Sequence, residues 1–326
     1  MAVVEVRHLD MTFQAPVRPE GLRAAAGSLF RREYRKITAV EGIDFSLEAG
    51  EVVAFLGPNG AGKTTTLKML SGILHPTGGS ALVLGHVPWH RETGYLRQIA
   101  MVRGSRPLSG PTEVTVHDAL RFQQLVYDVP KAKFDHSLRE LREMLELEPL
   151  LDRQVRALSL GERMRAGLAM SLVYRPKVLF LDEPTVGLDV SAVTLMRQFI
   201  AGYARQSGAT ILLTSHYMAD VDSLCERVLL IDKGTLRYDG SLANLSATLA
   251  PFKLVEVDAA DQAGVEWASF GDVVEVEGSR VRLRVTRDAT ASTITRLLRN
   301  VQVSDLSVVD PPLEHVIDRA YREGVA

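Results

Sequence analysis

The run Gly57-Pro58-Asn59-Gly60-Ala61-Gly62-Lys63-Thr64, followed by Thr65, fits the pattern G-x-x-x-x-G-K-[ST]. These residue types suit one task, the wrapping of a nucleotide's phosphates. The glycines let successive backbone N–H groups turn inward on the β-phosphate, Lys63 reaches the β and γ oxygens, and Thr64 offers a hydroxyl to Mg²⁺. A second group lies downstream, where Asp182-Glu183-Pro184 closes the apolar run Val178-Leu179-Phe180-Leu181. A carboxylate at such a strand end can hold Mg²⁺ through water, which suits Asp182, and the next can accept a proton from an attacking water, which suits Glu183. An acidic strand end facing solvent is the plain alternative for either alone, but not beside the phosphate loop. The chain is expected to bind a nucleoside triphosphate.

These groups need elements to hold them. The apolar, β-branched run Val52 to Leu56 reads as a buried strand and Lys63 to Leu74 as a helix, whose positive N-terminal end faces the phosphates. Residues 2 to about 245 alternate strand-like and helix-like segments, the pattern of an α/β domain with a mostly parallel sheet. Within it, 115 to about 150 is nearly all helical, with Phe134, Leu138, Leu141 and Leu145 at helical spacing as a packing face. After Asp239-Gly240 and a link near Ala250-Pro251 the character changes. Val274-Glu275-Val276-Glu277, Gly278-Ser279 and Arg280-Val281-Arg282-Leu283 read as a two-residue hairpin. In that register Glu277 faces Arg280 and Glu275 faces Arg282, with valines and leucine filling the other face. A helix near 291–300, a strand near 301–309 and a helix near 313–321 complete a small α+β domain. It carries no phosphate-binding or catalytic motif, which favours a regulatory or dimerising role.

Composition bounds the partners. Of 326 residues, 46% are hydrophobic and 24% charged, and the net charge is -2. That balance allows a sizeable core and argues against bulk nucleic-acid binding. The single cysteine, Cys225, fits a reducing compartment. No signal-peptide pattern and no window near the ~18 unbroken apolar residues of a membrane span is present, so a membrane role must come through another protein. Between Gln14 and Thr38, six basic residues (Arg18, Arg23, Arg31, Arg32, Arg35, Lys36) stand against Glu20 and Glu33. Leu22, Ala26, Leu29 and Phe30 fall on one side of a helix there. A piece lying on a membrane or partner and a solvated basic cap remain equal readings.

Between the two nucleotide motifs, Leu158-Ser159-Leu160-Gly161-Glu162 resembles the signature sequence of ATP-binding cassette (ABC) proteins, although Ser159 with Glu162 also fits a helix-capping box. Gly187-Leu188-Asp189 resembles the family's D-loop. His216, after the strand Ile211 to Ser215, resembles its switch histidine, and Phe13 sits where the family places an aromatic that stacks on adenine; core packing is the alternative for Phe13. Ser28 to Tyr34, Arg175-Pro176-Lys177 and Thr214 to Met218 look most like a bacterial branch tied to viologen-type and other small-molecule exporters. The resemblance implies an ABC-type P-loop cassette over 1–245, with the basic insertion at about 15–37 and a helical subdomain at about 99–165, and an accessory domain over 252–326. It further implies ATP and Mg²⁺ as cofactors, with ATP contacted by Phe13, Gly57 to Thr65, Ser159, Gly161 and Asp189. Thr64 and Asp182 would hold the metal, and Glu183 and His216 would act on the attacking water. The partners implied are a second copy, head-to-tail, and a separate integral membrane permease on whose cytoplasmic side the chain sits as a peripheral subunit. A soluble ATPase acting on ribosome or DNA, and a slow-turnover nucleotide-binding subunit, are the alternatives. One position departs from the pattern. After Ile99-Ala100-Met101-Val102 the family supplies a glutamine, and here Arg103-Gly104-Ser105-Arg106 follows, with Ser105 near the expected place.

Overall fold

The computed structural model describes residues 2–16, 34–106, 108, 112–260 and 264–323, and the chain divides into two compact units, Met1–Asp239 and Gly240–Ala326. In the first unit six strands form one sheet: β3 (Val52–Leu56), β5 (Ile99–Arg103), β6 (Val178–Asp182), β7 (Thr210–Thr214), β8 (Arg227–Asp232) and β9 (Thr235–Ser241). Their order is β5-β6-β7-β3-β8-β9, and β5 through β8 pair in parallel. Every residue of β6 and β7 is buried. Strands covered on both faces have no polar side to display, which is why they read as continuous apolar runs.

A three-stranded antiparallel sheet covers one side of this core: β2 (Tyr34–Glu48), β1 (Ala2–Pro16) and β4 (Gly78–Val83), in that order. Its Val4, Leu9, Ile43 and Leu47 share a hydrophobic cluster with Phe55 and Phe180 of the parallel sheet. The expected basic insertion begins and ends as strand, since Gln14, Ala15 and Pro16 pair with Lys36, Arg35 and Tyr34. The helix expected through Leu22, Ala26, Leu29 and Phe30 lies outside the described residues.

The helix after the phosphate loop spans Lys63–Leu70 rather than reaching Leu74. Tighter bonds such as Gly72 N–H to Met69 O end it. The helical segment comprises Val116–Val126, Lys131–Met144 and Leu160–Leu172, so the limits of about 99–165 need correction at both ends. Ile99 to Arg103 belong to the main sheet, and the last helix continues to Leu172. Phe134, Leu138, Leu141 and Leu145 are all buried.

In the second unit β10 (Phe252–Ala259), β11 (Asp272–Glu277), β12 (Arg280–Thr286) and β13 (Val303–Val309) form an antiparallel sheet in the order β11-β12-β10-β13. Glu277 faces Arg280 and Glu275 faces Arg282, the latter pair joined at 2.6 Å. Val281 and Leu283 are buried, but Val274 and Val276 stay 46% and 54% exposed, against expectation. The reason is that β11 is an edge strand with a register shift after Val273, and the core gathers on β10 and β12 with Leu297. The expected domain limit at 245 needs correction, because the helix Leu242–Leu249 lies across it and belongs wholly to this unit. It packs with the helix Leu313–Glu323, and Arg319 donates to Leu249 O at 2.9 Å.

Candidate active site

The phosphate loop leaves the C-terminal end of β3 and turns directly into its helix. Gly62 has φ 110°, and a Cβ built on it would meet Ala39 O of β2 at 2.4 Å. Only glycine tolerates both the backbone angle and that approach. Lys63 is 6% exposed, with its Nζ donating to Gly57 O and, at 3.1 Å, to Pro58 O. Burial lowers the ammonium's pKa below its ordinary value, and the carboxylates of Glu183 and Asp182 push it partly back. The loop thus holds a poorly solvated cation ready for an anion.

Parallel strands ending side by side bring the acidic group to the same place. Thr64 Oγ1 lies 3.0 Å from both carboxylate oxygens of Asp182, and Thr214 Oγ1 of β7 donates to Asp182 Oδ1 at 2.9 Å. A hydroxyl and a carboxylate are the hard oxygen donors that Mg²⁺ takes, so Thr64 and Asp182 fit that ion. Glu183 sits in the left-handed region with φ 54°. Its N–H is held by Thr214 O at 3.1 Å and Thr214 Oγ1 at 3.0 Å. Such a backbone costs a non-glycine residue about 1–3 kcal/mol and persists only where neighbours enforce it. The outcome is that Glu183 Oε1 comes within 2.6 Å of His216 Nε2. The motif reading passed over Thr214; a hydroxyl closing the strand before the histidine was its available signal.

The end of β5 supports the same corner. Gly104 N–H donates to Asp182 O at 2.8 Å, and a Cβ on Gly104 would stand 1.9 Å from Glu183 O and 2.7 Å from Val186 Cγ1. Gly104→Ala is therefore expected to displace the Glu183 backbone and to lower the ATP turnover that the resemblance implies about 100-fold, the loss that a 1 Å misplacement brings. Phosphate release at saturating Mg-ATP measures it, and a wild-type rate would show that this contact does not set the geometry. Ser105, the next residue, is exposed.

The other expected contacts lie apart. Ser159 caps the helix Leu160–Leu172 in a full capping box with Glu162, and Arg153, unnoticed in the sequence, pairs with the same Glu162 at 2.5 Å. The Ser159 N–H and Arg153 together hold the Glu162 carboxyl below its usual pKa. Ser159, Gly161 and Asp189 line a separate cleft of about 620 Å³. Asp189 caps the helix Val190–Ser207 by accepting from Ala192 N–H at 2.9 Å. Among the described residues no hydrogen bond joins this group to the phosphate loop. Phe13 is 36% exposed on β1 opposite Ile37, two residues from Ala39, the strand residue beside Gly62. An exposed ring there is available for stacking, and it is absent from the main hydrophobic cluster.

Comparison with known proteins decides the family. Residues 40–186 match the family model described as ABC transporter, and residues 251–309 match that of the EvrA-like ABC transporter, C-terminal domain. The Nod factor export ATP-binding protein I of Burkholderia thailandensis is 34% identical over 249 residues, 76% of this chain and 81% of that protein. The chain belongs to the ATP-binding proteins of ABC transporters. The Nod factor export ATP-binding protein I of Ralstonia nicotianae is 38% identical over 205 residues, a match spanning 63% of either chain. The linearmycin resistance ATP-binding protein LnrL of Bacillus subtilis is 29% identical over 299 residues, covering 88% of this ABC protein and 94% of the relative. A solved ATP-binding subunit of an ABC transporter superposes with a TM-score of 0.62 at 25% identity, covering 74% of this chain and 91% of the other. The first unit is thus an ABC-type ATPase cassette, and the second carries the C-terminal domain of EvrA-like transporters.

Proposed function

We propose that the chain is the ATP-hydrolysing subunit of an exporter, two copies clamping ATP head-to-tail on the cytoplasmic side of a separate membrane permease. The observation that carries this is the division of the site. Lys63, Thr64, Asp182, Glu183 and His216 converge at the ends of β3, β6 and β7, while Ser159 and Asp189 sit on another cleft with no bond to them. A helix N-terminus such as that at Ser159 is suited to an anion, so Ser159 of one copy completes the γ-phosphate site of the other. ATP then joins the copies, and loss of the γ-phosphate removes charge-assisted contacts and lets them part. Supporting export are the relatives themselves, one a Nod factor export protein and another a linearmycin resistance protein.

Within the site Lys63 binds the β and γ oxygens, Glu183 is the general base, and His216 orients it and contacts the γ-phosphate. Thr64 and Asp182 would hold Mg²⁺, which would supply positive charge against the charge developing on the phosphates. Phe13 stacks on the adenine. No helix among the described residues is long and apolar enough to cross a membrane. Supporting a permease partner are Phe122, Leu125 and Val126, exposed on the helix Val116–Val126, beside a cleft of about 370 Å³ lined in part by Arg91, Arg103 and Arg106.

Purification from membranes tests the proposal: a multi-span integral protein is expected to accompany the chain and raise its ATP turnover. Full turnover by chain that never dimerises and retains no membrane protein would overturn it. Ser105, where the family carries a glutamine, would reach the metal only through a water in the gap, a weaker contact that makes basal turnover slow. Ser105→Gln is expected to raise the basal rate several-fold and lower the Mg²⁺ concentration for half-maximal activity; if neither changes, Ser105 is not the cause of slow turnover.

A further inference from the structure

Below the Glu183–His216 pair lies a buried polar cluster that no motif predicts. Asp220, in the helix Met218–Leu224, is 1% exposed. Its Oδ2 accepts from Thr185 Oγ1 at 2.5 Å and Ser215 Oγ at 2.8 Å, and its Oδ1 accepts from Arg197 Nε at 2.6 Å. Thr185 and Ser215 are themselves buried, at 1% and 3% exposure. Ser215 Oγ also accepts from Tyr217 N–H at 3.0 Å, so the turn carrying His216 is pinned on both sides of the histidine. Thr185 follows Glu183 by two residues, with Val186 N–H donating to Glu183 O at 3.2 Å across that same turn.

We infer that Asp220 is a positioning residue: its carboxylate clamps the Glu183 turn to the His216 turn, with Arg197 as counter-charge, and thereby sets the geometry in which Glu183 meets His216. This deepens the proposed function, resting on Glu183 as base. The physical case is one of stakes. A buried carboxylate is costly unless paired and fully hydrogen-bonded, and this one has three donors from three different segments. A charged acceptor shared by two hydroxyls ties their backbones more firmly than neutral bonds do, because charge-assisted bonds are about twice as strong. Glu183 is held in a left-handed backbone and needs outside enforcement; Thr214 supplies it at the Glu183 N–H, and Asp220 supplies it two residues further on. Neither Asp220 nor Arg197 has a hydrogen bond to Lys63, Thr64 or Asp182, so their effect should fall on turnover and not on nucleotide affinity.

Asp220→Asn keeps the shape but presents an amide N–H₂ to a donor and removes Arg197's counter-charge; Arg197, 28% exposed, can turn to water, so the fold should persist. The expected result is a kcat lower by about 100-fold with KM for ATP nearly unchanged, the signature of misplacement without lost binding. Added to Glu183→Gln it should cause no further loss, because a positioning residue acts only through the group it positions. Should Asp220→Asn fail to fold, Thr185→Val and Ser215→Ala carry the test, each removing one donor and lowering kcat about tenfold at constant KM. A wild-type kcat in Asp220→Asn, or in both hydroxyl variants, would overturn the clamp, as would a loss that adds fully to that of Glu183→Gln. If Glu183→Gln alone turned over normally, the base assignment would fall first, so the two failures are told apart.

Discussion

Glu183→Gln is expected to lower ATP hydrolysis about 100- to 10,000-fold, the usual worth of a positioned general base, while leaving ATP bound. The amide matches the carboxylate in shape and can still face His216, yet it cannot take the proton from an attacking water. Two features place the effect on chemistry. Glu183 is anchored through its backbone, by Thr214 O and Oγ1, so the substitution leaves the turn intact. Lys63, Thr64 and Asp182, which bind the phosphates and metal in the proposed scheme, keep their own contacts. If two copies close on ATP and part on its hydrolysis, the variant should accumulate as an ATP-bound dimer, seen by light scattering at saturating Mg-ATP and lost when nucleotide is removed. Turnover near the wild-type rate would remove Glu183 from its role. A catalytically dead variant that stays monomeric with ATP and permease present would remove the head-to-tail dimer instead.

Lys63→Met is expected to abolish the second requirement, binding. Each charge-assisted hydrogen bond contributes about 1.5–3 kcal/mol, so losing the ammonium's bonds to the β and γ oxygens should weaken ATP at least about 100-fold. The sign in the absence of nucleotide is the opposite of the usual one for a buried residue. Burial already disfavours the Lys63 charge and lowers its pKa, and its hydrogen-bond partners are loop carbonyls. A methionine of similar length spares that desolvation, so the nucleotide-free protein should melt no lower than wild type. What should vanish is the upward shift of Tm on adding Mg-ATP, which follows from binding to the folded state alone. A wild-type shift in the variant would show that the loop's backbone N–H groups suffice without the lysine.

How much of this was legible beforehand differs from element to element. The strands of the parallel sheet were plain in the sequence because burial on both faces leaves only apolar residues, as in Leu179 to Leu181 and Ile211 to Leu213. The hairpin register of Glu275 and Glu277 with Arg282 and Arg280 was plain too, because a two-residue turn leaves one pairing that matches opposite charges. The exposure of Val274 and Val276 was not. Alternation tells which residues share a face, but whether a strand lies at an edge depends on which others pair with it.

The sequence by itself determined the chemistry on offer. The phosphate loop, the acids at the end of β6 and the histidine after β7 are local patterns, each a short run whose residue types are dictated by one ligand or one turn. Only the tertiary structure decided how they are held. Gly104 meets Glu183, Thr214 bonds Asp182 and the Glu183 N–H, and Asp220 joins Thr185 to Ser215 and Arg197. Most of those contacts cross dozens of positions in the chain, and no residue type announces them. A hydroxyl or carboxylate looks the same in sequence whether it faces water or closes a buried network, because its partner is supplied by strand order and helix packing rather than by its neighbours in the chain.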